Sequence, residues 1–130
     1  MVIQARRDKA RFARLRFELG ALARRMAELF ELFMDIRPLV KGTVYQLKRT
    51  CGKPGCRCQK GHLHATMVMV SSEGGRKRLR VIPKGSFVEV KIKADRYRKV
   101  RAARAEFVKL ARRAVEVMDR MEAMRREEVR

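Results

Sequence analysis

All 3 cysteines and both histidines of the chain fall between Cys51 and His64, in the run Cys51-Gly52-Lys53-Pro54-Gly55-Cys56-Arg57-Cys58-Gln59-Lys60-Gly61-His62-Leu63-His64. Thiolate sulfur and imidazole nitrogen are the ligands that Zn²⁺ takes four at a time in a tetrahedron. Gly52, Pro54, Gly55 and Gly61 supply the turns needed to bring distant side chains of a short loop to one point. The residues predict a single structural zinc site with Cys51, Cys56, Cys58 and one histidine, His62 or His64. Packing alone is the competing account of these residues, and it explains poorly why every soft ligand sits in one turn-rich stretch. No acidic residue lies between Arg49 and Ser72. A hydrolytic zinc needs an open position and a general base nearby. The stretch offers neither, so a closed site is expected.

The segments on either side are periodic. Phe12, Leu15, Leu19, Leu22, Met26, Leu29, Phe33 and Ile36 are separated by steps alternating three and four. Such spacing is the seam of a coiled coil. A helix is predicted over residues 3–36, ended by Pro38, which disfavours helical backbone in the residue before it. Gly20 lies one step off this seam, where it costs about 1 kcal/mol relative to Ala. Val100, Ala103, Phe107, Leu110, Ala114, Val117, Met121 and Met124 form a second seam with the same steps. Its helix is predicted over residues 86–128, starting at Ser86 with Glu89 three residues on as a capping box. The alternation of Val88, Val90 and Ile92 with Glu89, Lys91 and Lys93 also fits a strand, which would move the helix start to Asp95.

Between the seams the period changes from helix to strand. Thr43–Arg49, Thr66–Ser71 and Lys77–Ile82 read as three strands, with Ser72-Glu73-Gly74-Gly75 as a hairpin loop. Alternation puts Arg78 and Arg80 on one face of the third strand and Leu79 and Val81 on the other. The expectation is an α+β chain in one domain over residues 1–130. A long antiparallel helical hairpin, coiled-coil-like, would be joined by a three-stranded antiparallel sheet with a zinc knuckle over residues 42–83. Two seams of similar length are also compatible with a homodimer that makes four helices.

Charge then narrows the partner. Lys+Arg number 34 against 14 Asp+Glu, a formal net charge of +20. Self-repulsion of that size favours a polyanionic partner. Disorder is a poor explanation, because 46% of residues are hydrophobic and periodic. Cations cluster around the knuckle (Lys48, Arg49, Lys53, Arg57, Lys60), on the third strand (Arg76, Lys77, Arg78, Arg80) and on the second helix (Arg96, Arg98, Lys99, Arg101, Arg104). Arginine suits phosphate through its planar fork. Aromatic residues are few and mostly taken by the seams, so stacking on splayed bases is disfavoured. Backbone contacts to duplex DNA or structured RNA are the expected mode. An odd number of cysteines, a charged N-terminal stretch and the lack of a long apolar run point away from disulfides, a secretory signal and a membrane span. A reducing cytoplasm is expected.

The knuckle resembles the signature of a small, functionally uncharacterised group of basic bacterial and archaeal proteins. Their pattern is Cys-Gly-Lys-Pro-x-Cys-x-Cys-x-x-Gly-x-x-His-Gly-Pro-Tyr. Gly42, the Gly75-Arg76-Lys77 turn and the Val81-Ile82-Pro83-Lys84 stretch are similar too, so the likeness spans roughly residues 42 to 100. It implies that His64, rather than His62, is the fourth ligand. Ala65-Thr66-Met67 departs from the group's Gly-Pro-Tyr. The resemblance also implies a place near mobile elements.

Three functional classes follow. The first is a non-enzymatic, zinc-stabilised nucleic-acid-binding protein that contacts phosphates, as an accessory or regulatory factor of a mobile element or a ribonucleoprotein. The second is a coiled-coil interaction module or homo-oligomer with an acidic protein partner. The third, an enzyme such as a nuclease, needs carboxylates to hold Mg²⁺ or act as base. The acids here are scattered along helices, with Glu127 and Glu128 at the end. Neither catalytic residues nor a small-molecule substrate is expected.

Overall fold

The computed structural model describes residues 2–129. Helix α1 spans Val2–Met34, strands β1, β2 and β3 span Thr43–Arg49, His64–Glu73 and Arg76–Val81, and helix α2 spans Phe87–Arg125. The chain is α+β and divides into two compact units, residues 1–36 with 100–130, and residues 37–99.

In the first unit α1 is paired with the C-terminal part of α2, residues 100–125. The cross-helix pairs fix the direction. Arg113 forks onto Glu18, with Nη2 donating at 3.1 Å and Nε donating to the other carboxylate oxygen. Arg25 forks onto Glu106 at 2.6 and 3.0 Å. As numbers rise along α1 their partners fall along α2, so the pair is antiparallel. Every residue of the second seam is buried or half-buried, with Val117 0% exposed. The first seam holds from Phe12 to Leu29 and then fails. The helix ends at Met34, Phe33 is exposed, and Ile36 is 97% exposed. The Arg37–Pro38 step explains this, because the residue before proline is pushed out of helical backbone. Phe30, one residue off the seam, meets Phe107 instead, with ring centroids 5.1 Å apart.

The second unit is built on the sheet, ordered β1-β2-β3 with antiparallel neighbours. Thr43 pairs with Val70 through to Arg49 with His64, and Val68 with Val81 through to Glu73 with Arg76. β2 is longer at both ends than the Thr66–Ser71 expected, because pairing with β1 and β3 carries it past its apolar run. The β2–β3 turn contains only Gly74 and Gly75, at φ 58° and 80°. Two successive left-handed residues make the tight turn whose twist suits a hairpin, and glycine adopts it without strain. Val68 on the central strand, Ile82 and Ala94 are buried. Val40 N–H donates to Lys93 O at 3.2 Å, and Arg96 Nη1 donates to Pro38 O at 2.6 Å, tying residues 38–40 to the first turns of α2. The helical alternative holds for residues 87–99, and α2 follows a short 3₁₀ turn over Lys84–Ser86. Glu89 takes Lys93 Nζ at 2.7 Å.

Candidate metal centre

The four residues sit at the loop end of the β1–β2 hairpin, and the local sequence brings them there. β1 ends at Arg49, two residues before Cys51, and β2 begins with His64, so pairing of Arg49 with His64 holds the outer two ligands side by side. The inner two come from the loop. Lys53-Pro54-Gly55-Cys56 turns back on itself, with Cys56 N–H donating to Lys53 O at 3.3 Å and Gly55 at φ 78°. Proline followed by a left-handed glycine is the requirement of a type II turn. A 3₁₀ turn over Arg57–Lys60 then carries Cys58 inward until it is 1% exposed. Gly61, at φ 97°, ends that turn.

Cys51, Cys56, Cys58 and His64 have their ligand atoms all within 4.8 Å of one another. Cys51 and Cys58 sulfurs are 3.5 Å apart, and Cys56 Sγ lies 3.2 Å from His64 Nε2. A tetrahedral zinc with arms of about 2.3 Å would place its sulfurs roughly 3.8 Å apart. The Cys51–Cys58 sulfur pair is within a few tenths of an ångström of that spacing, and the other donors lie no more than 4.8 Å apart. Four protein donors complete a tetrahedron and leave no position for a reacting molecule. His62 is not among them. It lies in the turn after Lys60, with its N–H donating to Arg57 O at 3.3 Å.

The thiols differ in acidity. The Cys58 N–H, helped by His64 and the Cys58 and Cys51 side chains, pulls the Cys56 thiol down to about 6. The Cys51 N–H, 3.4 Å from Cys58 Sγ, also pulls the Cys58 thiol down. Burial and the neighbouring Cys56 and Cys51 sulfurs outweigh it, and the net direction is up. Three thiolates crowded together need a cation between them. A divalent metal with three thiolates and a neutral imidazole would leave about one negative charge.

The expected cations divide into distinct groups. Lys48 and Arg49 end β1, Lys53 lies in the type II turn, and Arg57 and Lys60 lie on the 3₁₀ turn, all exposed. None takes part in an ion pair among the described residues. Arg76, Lys77, Arg78 and Arg80 are on β3, where every residue is exposed. There the charge of the face that Arg78 and Arg80 share is moderated. Glu73 lies 3.4 Å from Arg78 and 3.7 Å from Arg80, and Leu79 and Val81 are exposed as well, because β3 is an edge strand. Arg96, Arg98 and Lys99 are on α2 in the second unit, with Arg96 engaged by Pro38. Arg101 and Arg104 belong to the first unit.

Two contributors escaped the sequence reading. Glu73 was legible as the residue just before a two-residue turn, which sets it across from Arg76 and diagonal to Arg78. Gln59 braces the knuckle by donating from Nε2 to Lys53 O at 2.9 Å, and nothing in the sequence separated it from a solvated glutamine. No described helix is long and apolar enough to cross a membrane.

Comparison with known families gives a match to a family model. A family model described as Domain of unknown function (DUF6788) covers residues 12–91, from the first seam residue of α1 through the sheet and knuckle into the start of α2. Neither the curated proteins nor the solved structures give a match.

Proposed function

The chain belongs to the DUF6788 family, and from that premise we propose that it is a non-enzymatic, zinc-stabilised protein that binds the phosphate backbone of nucleic acid. Zinc is the metal assigned to the knuckle because a tetrahedral set of three sulfurs and one nitrogen suits it, and hard cations that prefer oxygen are poorly matched. Elemental analysis of purified protein is expected to return one zinc per chain. A value well below one overturns the assignment.

The observation that carries the reading is the loop itself. Lys48, Arg49, Lys53, Arg57 and Lys60 are exposed on the segment that the four ligands fold, with no acidic residue between Arg49 and Ser72. Their positive charge more than offsets the single negative charge of a zinc–thiolate centre. The knuckle therefore presents a rigid cationic tip whose side chains are not occupied by carboxylates. Long-range attraction by the +20 chain raises encounter with any polyanion. Tyr45 is an exposed aromatic on the sheet, too little for base stacking along a strand. Duplex DNA or folded RNA, read through phosphates rather than bases, fits best.

Binding to duplex DNA, structured RNA and a single strand, followed by anisotropy across a salt series, tests this. Each phosphate neutralised on a duplex steepens the log K against log salt slope by about 0.9. Five loop cations predict a slope of roughly −4 to −5 on a duplex. The triple variant Lys53→Glu, Arg57→Glu, Lys60→Glu should weaken binding and flatten that slope while keeping its metal. A flat wild-type slope, or a triple variant that binds as the wild type does, sinks the reading.

A further inference from the structure

The three sulfurs of the knuckle are not equivalent. Cys51 is exposed, Cys56 is half-buried and Cys58 is 1% exposed. Their partners differ too. Cys56 Sγ faces His64 Nε2 at 3.2 Å, whereas Cys51 Sγ faces Cys58 Sγ at 3.5 Å. The Cys51 backbone N–H also donates to Cys58 Sγ, at 3.4 Å. Backbone and side chain of Cys51 thus both reach the same sulfur, which holds the two residues against each other. A disulfide needs its sulfurs about 2.05 Å apart, so closing this pair takes a movement of about 1.5 Å.

The surroundings of Cys51 add a second sign. Buried structural cysteines are inert, and reactive ones are exposed among cations. Cys51 follows Lys48 and Arg49 and precedes Lys53, all exposed, and no acidic residue lies between Arg49 and Ser72. A purely structural knuckle gains nothing from leaving one of its sulfurs open to solvent in such a setting.

We propose that the knuckle is a peroxide-sensitive switch in which Cys51 and Cys58 join as a disulfide and expel the metal. It rests on the zinc reading above and adds a reaction to it. The oxidant enters at Cys51, because Cys58 is closed to solvent. The Cys51 thiolate attacks one oxygen of hydrogen peroxide, the O–O bond breaks and hydroxide leaves. The sulfenic acid so formed sits against Cys58. The Cys58 thiolate attacks that sulfur, the S–O bond breaks and a second hydroxide leaves. Two protons from solvent turn both hydroxides into water. The thiolates lose two electrons in all, and peroxide gains them.

Zinc then keeps only Cys56 and His64, half of the tetrahedral set that a structural site needs, and the ion leaves. Its departure unties the start of β2 from the loop that carries Lys53, Arg57 and Lys60, so oxidation loosens the cationic tip. A reducing thiol opens the disulfide by exchange and restores the ligands.

Elemental analysis of the full, reduced chain comes first. A zinc shortfall at that stage removes the zinc reading and the switch together. Hydrogen peroxide is then added in the presence of a chromophoric chelator, and the cysteines are blocked and mapped by peptide mass spectrometry. About one zinc per chain is expected to leave in step with a Cys51–Cys58 disulfide, and dithiothreitol with added zinc should reverse both. Cys51→His keeps two sulfurs and two nitrogens, a set that suits zinc, but lacks the pair. It should release metal at least about tenfold more slowly. His62→Ala, outside the cluster, should release it as the wild type does. If Cys51→His takes up no zinc, the mapped disulfide of the unaltered chain decides. Zinc retained under peroxide, release accompanied by another cysteine pair or by sulfinic acid in place of this disulfide, or a zinc-loaded Cys51→His that releases as fast as the wild type overturns the switch and leaves the zinc reading standing.

Discussion

At the residue scale the knuckle discriminates between two histidines only two residues apart. His64 is fixed by its place as the first residue of β2, opposite Arg49, and its Nε2 faces Cys56 Sγ at 3.2 Å. His62 sits where the chain leaves the 3₁₀ turn, outside the cluster. Removing an outer-sphere partner of a metal costs 10–100-fold in affinity. His64→Ala, which removes a ligand, is expected to lower zinc affinity by at least about a hundredfold. His62→Ala should leave it within a factor of a few. Competition against a chromophoric chelator measures both, and equal losses would mean the wrong histidine has been placed at the metal. Spacing left these two residues open. The family-like pattern favoured His64, and strand pairing gives the physical reason.

At the element scale the helix pair relies on few deeply buried side chains and on two forked ion pairs. Arg113 holds the Glu18 carboxyl below its ordinary value, and Arg25 does the same for Glu106. The folded pair thus binds fewer protons than the unfolded chain near the ordinary carboxylate value of 4.5. The stability these pairs add is complete above that value and is lost as pH falls through the lowered ones. Both pairs are solvent-exposed in large part, so the effect is small and screened by salt. Thermal melts of helix should show it as a modest loss between about pH 5 and 3 that the double variant Glu18→Gln, Glu106→Gln largely lacks. Acid also protonates metal-bound thiolates, so the comparison with that variant isolates the helical part. If the two melts track each other down to pH 3, the forks do not contribute. The seams themselves were readable, because a 3.6-residue repeat writes burial directly into the spacing. The failure came at Phe33, exposed in the last turn of α1, and at Ile36, which lies past the helix end at Met34.

At the scale of the whole molecule, the two units are expected to depend on metal differently. The helix pair has its own apolar seam. Residues 37–99 have a small core, and their β1–β2 loop is closed by the four clustered residues and a few turn hydrogen bonds. Structural metal binding contributes directly to folding in domains of this kind. Chelation, or Cys56→Ser, is expected to raise amide exchange across the knuckle and the adjoining ends of β1 and β2. Residues 100–125 should keep their protection, and most of the helical signal should remain. Exchange that rises uniformly along the chain would show that the metal holds more than its own loop.

The sequence by itself determined the parts that follow from short-range rules: two helices from their periodicity, three strands from their β-branched runs, a tight hairpin turn from paired glycines, and a Cys/His cluster able to hold a metal from residues too concentrated for packing to explain. Its excess of positive charge was equally plain. Tertiary structure decided which histidine faces the sulfurs and which carboxylate of the opposite helix Arg25 and Arg113 fork onto. Those outcomes depend on which residues end up across a strand pair or a helix pair. That is a matter of register between distant segments, and no local pattern encodes it.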